Sequence, residues 1–95
     1  MSVYIIVNID VTNPEDLKEY QALAGPTMKE HGIGLLGRAK PVEVLEGDAQ
    51  GGMTVVLRAD SEQSARAWYR SPGYTAAIRA REGKARVHMT MVPAV

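Results

Sequence analysis

Residues 3–11 read VYIIVNIDV, and every odd position in that run is a β-branched aliphatic: Val3, Ile5, Val7, Ile9 and Val11. Strict period-two patterning with β-branched side chains is a strand whose odd face must lie against a core. The even face carries Tyr4, Ile6, Asn8 and Asp10. That mixture of phenol, aliphatic, amide and carboxylate is either half-wet or lines a cavity. A chain of 95 residues builds one hydrophobic core, so residues 1–95 are read as a single domain.

The rest of the chain supplies the partners of that strand. Asn13-Pro14-Glu15-Asp16 starts a helix, with a capping amide, a proline at the first helical position and two acids at the positive dipole end. Leu17, Tyr20, Ala24 and Met28 repeat at helical spacing. Gly25-Pro26 is expected to break or kink this helix, and Gly32 to cap it after His31. Gly34 to Leu45 reads as a second strand, with Gly37 and Pro41 implying a bulge or an edge position. Glu46 to Gly52 is a turn, and Met53 to Ala59 a third strand.

Asp60 or Ser61 caps a short second helix, with Asp60 and Gln63 fitting a capping box; its inward stripe is Ala65, Trp68 and Tyr69. Ser71-Pro72 starts a third helix, with Tyr74, Ala77, Ile78 and Arg81 on one side, and Gly83 ends it. Ala85 to Val92 is the last strand. The order is β-α-β-β-α-β with a divided second helical segment. That is the ferredoxin-like α+β fold, an antiparallel sheet with helices on one face. Residues such as Ile6 and Val56 make the uncovered sheet face too apolar for water, which predicts a second copy packed sheet to sheet in a homodimer.

Composition excludes several function classes. There is no cysteine, hence no disulfide, thiolate metal site or thiol nucleophile. Lys and Arg number 11 and so do Asp and Glu, so no broad positive field exists to attract nucleic acid or an anionic membrane. The longest apolar runs are too short to span a bilayer, and no signal-like segment opens the chain, so a cytoplasmic location is expected. His31 and His88 are far apart with no carboxylate three or four residues beyond either, so no metal site is expected. No phosphate-binding glycine motif is present.

What remains is a set of aromatic and basic residues. Trp68, Tyr69 and Tyr74 lie on consecutive short helices, Tyr20 on the first helix, Arg38 in the irregular strand and Arg81 on the last helix. Phe is absent, so every ring carries a polar atom that wants a partner. One reading makes these rings core fillers with wetted tips. The other makes them the lining of an apolar pocket, with Arg38 or Arg81 holding an anionic or carbonyl oxygen at its mouth. Arg79 is read as solvated. Asn8 is a candidate for polar lining. His31 is either a solvated helix-end imidazole or a proton-transfer group at a pocket rim. His88, beside Arg86 and Thr90, is read as a dimer-interface or edge residue, and Glu46-Gly47-Asp48 as turn chemistry.

The segments VYIIVNIDVTNPEDLKEYQALAGPT, GIGLLGRAKPVEVLEGD and SARAWYRSPGYTAA closely resemble short bacterial proteins known as domain of unknown function 1330. The most specific parts are Glu19-Tyr20 with Leu23, Ala24, Pro26 and Thr27, then Arg38, Val42 to Asp48, and Ala67 to Ala77. The resemblance spans essentially the whole chain and implies a dimeric α/β-barrel made of two ferredoxin-like units. It implies no catalytic residue, because that family has no settled activity. Arg58-Ala59-Asp60 departs from the family's usual apolar residue before the acidic helix cap.

The wider superfamily includes cofactor-free monooxygenases, lactone isomerases, dye-decolorising peroxidases and haem-degrading enzymes. Haem-degrading members resemble an Asn on strand one, a Trp on helix two and a His ten residues later. Asn8 and Trp68 match, but Ile78 stands where the iron ligand would be, which argues against haem.

Three readings of function follow: a small-molecule-binding dimer that acts as a cofactor-independent enzyme (monooxygenase- or isomerase-like) on an aromatic or carbonyl compound, a non-catalytic binding or stress accessory protein, and a purely structural dimer. In the first, Asn8, Trp68, His31 and Arg38 serve as hydrogen-bond donors or base.

Overall fold

The computed structural model describes residues 1–95. Four strands, β1 (Val3–Val11), β2 (Gly34–Ala39), β3 (Met53–Ala59) and β4 (Ala85–Pro93), form one antiparallel sheet in the order β2-β3-β1-β4. Three helices, α1 (Lys18–Glu30), α2 (Glu62–Arg70) and α3 (Pro72–Ala80), cover one face. This is the α+β, ferredoxin-like arrangement expected from the element order. The shortest dimension is 16 Å, the thickness of one sheet plus one helical layer.

The alternation in β1 decides which face is covered. Val3, Ile5, Val7 and Ile9 are buried, and the register sets them beside Ala59, Leu57, Val55 and Met53 of β3. On the other side they meet Met91, Met89 and Val87 of β4. The opposite face shows Tyr4, Ile6, Asn8, Thr54 and Val56 half-buried at its centre, with Asp10, Arg58, Arg86 and His88 exposed around them. No helix of the structure is long and apolar enough to cross a membrane.

A 3-10 turn over Pro14–Leu17 leads into α1, and the Asn13 side chain accepts from the Glu15 amide at 3.2 Å. Helix α1 then runs through Gly25-Pro26 without the expected break. A helical residue before proline normally clashes through its Cβ, and Gly25 has none. The bond that Pro26 cannot donate would go to the carbonyl of Ala22, which is exposed and open to water. At the other end Gly32 takes a φ of 66°, and the Ile33 amide donates back to the Met28 carbonyl at 2.8 Å. That is a Schellman closure, and it drops Ile33 into the core.

Other boundaries differ from expectation. Strand β2 stops at Ala39 rather than Leu45, because Pro41 offers no amide to the ladder. Within β2 the pairing shifts between Leu35 and Gly37, so the expected bulge is present. Of the two expected caps of α2 it is Ser61 that caps, and its capping box closes on Ser64 rather than running from Asp60 to Gln63. The Ser61 hydroxyl accepts from the Ser64 amide at 3.0 Å while the Ser64 hydroxyl accepts from the Ser61 amide at 3.2 Å. Asp60 is occupied elsewhere, by Arg58 at 3.1 Å. Tyr69 is not on the inward stripe of α2; it is 47% exposed, whereas Trp68 is 1% exposed.

Helices α1 and α3 pack closely where Gly73 meets Thr27. A Cβ added at Gly73 would lie 2.8 Å from Thr27 Cγ2, a methyl on a stiff β-branched side chain. Gly73→Ala should therefore cost about 1–3 kcal/mol, the usual penalty of overpacking. Urea unfolding of the variant measures it.

Candidate functional site

A cavity of about 450 Å³ lies between α1 and the helix-side face of the sheet. Its floor is Val7, Ile9, Val55 and Leu57, and its inner end reaches Trp68 and Met89. Helix α1 contributes Tyr20, Gln21, Ala24, Gly25, Met28 and Lys29. Gln21, Gly25 and Lys29 are spaced four apart and so share one edge of the helix. Arg38 lines the cavity from β2.

Arg38 is on that side because of the bulge. Leu35 stands opposite Leu57, and in a regular strand the third residue onward would face the other way. The extra residue at Leu36 resets the phase, so Arg38 stands opposite buried Val55. Of the 17 lining residues 13 are hydrophobic; the others are Gln21, Gly25, Lys29 and Arg38. None is an acid.

The aromatic groups form the wall behind this cavity. The Trp68 indole N–H donates to Thr27 Oγ1 at 3.1 Å, and Thr27 Oγ1 donates to the Ala24 carbonyl at 2.6 Å. Trp68 and Tyr74 stack with centroids 4.2 Å apart. The Tyr74 and Tyr20 hydroxyls share a hydrogen bond of 2.7 Å, and Tyr20 meets Tyr74 edge to face. The Arg81 guanidinium lies 5.4 Å from the Tyr20 ring centre, in cation–π range. Tyr69 packs on Tyr74 from outside, with centroids 5.7 Å apart.

The residues singled out from sequence thus divide. Tyr20, Arg38 and Trp68 line one cavity. Tyr74 and Arg81 support its wall. Tyr69 lines instead a groove of about 230 Å³ between α2 and β4, with Arg66 and Arg70. Asn8 is on the opposite sheet face, where its Oδ1 accepts from Thr54 Oγ1 at 3.1 Å, and it does not share the cavity. His31 closes α1 outside the cavity lining. Its Nδ1 is 2.9 Å from the Thr27 carbonyl, and a carbonyl can only accept, so Nδ1 carries the proton.

Residues 2–95 match the sequence family described as a domain of unknown function, DUF1330. The chain belongs to that family. No curated protein matches it. Among solved structures, the DUF1330 chain is similar to a dimeric ferredoxin-like protein of unknown function from Jannaschia sp. CCS1. The TM-score is 0.76 at 10% identity, covering 99% of this chain and 100% of that one. A protein of unknown function from Rhodopseudomonas palustris gives 0.73 at 16% identity, covering 99% and 83%. SnoaB from Streptomyces nogalater, a cofactor-independent oxygenase, gives 0.63 at 12% identity, covering 99% and 93%. At these identities the likeness is one of fold.

Several residues of this DUF1330 site escaped the sequence reading. Thr27 was seen only as part of a family motif, although it is the polar residue that holds the indole. The signal was present in Gly73, whose missing side chain leaves room for the Thr27 methyl. Lys29 and Gln21 gave no sequence signal, and the inward phase of Met28, Met53 and Met89 marks a core face but not the gap between them.

Burial raises the Tyr74 phenol far above the ordinary tyrosine range; the Tyr20 phenol adds to this, and Arg81 opposes it. A raised folded-state pKa contributes stability that is complete below about pH 10, where unfolded tyrosine ionises, and is lost as pH rises beyond it. Alkaline titration of unfolding should therefore show a steep fall above that point. Tyr74→Phe should lose about 1 kcal/mol at neutral pH with its hydrogen bond, and fall less steeply in alkali.

Proposed function

We propose that the protein works as a homodimer packed sheet to sheet, and that each copy takes a small aromatic or carbonyl compound into the cavity beneath α1 and acts on it without a cofactor. The observation that carries this reading is the cavity: about 450 Å³, apolar inside, with polar groups on one edge. Sites for small ligands have this size and this balance. Such a void weighs against a purely structural dimer, because an unfilled apolar space costs stability.

The sheet face supports the dimer. Ile6 and Val56 stand side by side at its centre, and the β2 residues paired with this face of β3 are small, with Gly37 beside Val56 and Ala39 beside Thr54. An apolar centre inside a polar margin is the usual anatomy of an interface. Solved relatives of the fold from Jannaschia sp. CCS1 and Thermobifida fusca are themselves described as dimeric. Ile6→Asp should convert the dimer to folded monomers in light scattering, and an unchanged mass would remove the sheet face from the interface.

On the cofactor-independent reading, the reaction proposed is oxygen insertion into an ionised phenol. The phenolate supplies electrons to dioxygen. One oxygen atom becomes a ring carbonyl in place of a ring hydrogen, and the other leaves as water with that hydrogen and the phenolic one. Arg38 would hold the substrate oxyanion. The lining holds no Asp, Glu or His, and His31 lies outside it, so on this reading the phenol enters already ionised.

A second reading, binding without turnover, draws on the lack of any Asp, Glu or His among the lining residues. Oxygen uptake with a panel of phenols separates the two. Uptake that disappears in Arg38→Ala, with an unchanged melting temperature, supports the enzyme. A ligand-induced rise in melting temperature without uptake supports the binding protein. Uptake unaffected by Arg38→Ala would remove Arg38 from the mechanism.

A further inference from the structure

We infer that the cavity selects aromatic oxyanions, taken ring-first, with the charged group held at the mouth between Arg38 and Lys29. This rests on the cavity being a ligand site, and it adds Lys29 as a second cation, carboxylates as well as phenolates as the ligand class, and the orientation of the ligand. Lys18, Arg58, Arg66 and Arg86 each have a carboxylate within 3.2 Å. Lys29 and Arg38 have none, which they share with Lys40, Arg70, Arg79, Arg81 and Lys84; of these seven, only Lys29 and Arg38 line the cavity. Two unneutralised cations thus flank one opening in a cavity whose lining contains no acid.

An apolar space with no counter-charge leaves a cationic ligand unfavoured and gives an anion two donors. The guanidinium is a planar fork suited to a carboxylate, and the ammonium is a mobile point charge. The interior fits a ring rather than a second polar group. Trp68 and Tyr74 satisfy their polar atoms within the wall, by way of Thr27 and Tyr20. Met28, Met53 and Met89 present flexible, polarisable sulfurs, which make favourable contacts with aromatic edges. The polar end of a ligand therefore has its partners at the mouth alone.

Carboxylates and phenolates share this chemistry, and matched probes tell them apart. Calorimetry on the full-length protein would compare benzoate with its neutral isostere benzamide, and follow para-nitrophenol by absorbance above and below its own pKa. The expected result is benzoate binding about tenfold tighter than benzamide at low salt, the scale of one or two charge-assisted hydrogen bonds, with the ratio shrinking as salt rises. Preference for ionised para-nitrophenol over benzoate would assign the phenolate as the natural class, and the reverse the carboxylate; either supports the inference.

Arg38 and Lys29 are both exposed, so the double variant Arg38→Gln/Lys29→Gln should melt as the parent does and bind benzoate no more tightly than benzamide. Equal affinity for benzoate and benzamide in the parent protein would overturn the charge assignment while leaving the cavity a ligand site. A preference that survives the double variant would overturn the assignment to these two residues. No binding of any probe to folded dimer would overturn both the inference and the reading beneath it.

Discussion

One hydrogen bond organises the helical layer. Trp68 brings a large ring with a single N–H into a place sealed from water, and that N–H must have an acceptor. Thr27 supplies it at 3.1 Å from the neighbouring helix. The threonine hydroxyl can do this because its own proton is already given to the Ala24 carbonyl. The bond ties α2 to α1, and Gly73 lets α3 close against the same threonine. Helices α2 and α3 are thereby fixed to one side of α1. On its other side, toward β2, α1 has no helical neighbour, and the cavity opens there. The position of the cavity follows from where the helices are tied.

Much of this architecture was legible in the residues. The alternation of Val3 to Val11 names the covered face, and the Ser71-Pro72 step names the division between the last two helices. The bulge in β2 could be read from its glycines. Where the sequence reading went astray, a local rule met a competing one. Gly25-Pro26 looks like a helix break by the proline alone, but the glycine removes the steric cause. Asp60 looks like a cap until Arg58 claims it. Tyr69 follows Trp68 so closely that helical phase carries its ring outward.

The cavity was less legible. A helix stripe says which residues point inward and is silent on whether they touch what lies opposite. Leu17, Tyr20, Ala24 and Met28 repeat as a core stripe would, and yet between them and Val7 or Val55 there is open space. The sequence reading also grouped Asn8 with Trp68. Their separation is a matter of strand parity: Asn8 is even, and the helices cover odd positions. Period-two geometry, applied to that one residue, divides the polar candidates between two faces of the sheet.

The absence of phenylalanine bears on what the cavity can hold. A wall of Phe would be indifferent to direction. Here each buried ring has a polar atom, and each such atom is turned to another residue of the wall: indole to threonine, phenol to phenol. The wall turns the indole N–H and one phenolic O–H to its own residues, and most of what lines the space is carbon and sulfur. Charge enters only where β2 is bulged and where α1 passes the opening, at Arg38 and Lys29. On the proposed reading a molecule inside would be sorted along its own length, with its ring at the deep end and two cations at the shallow one. The same bond that keeps the indole in place keeps its N–H from a ligand, while the bulge in β2 supplies the charge at the mouth.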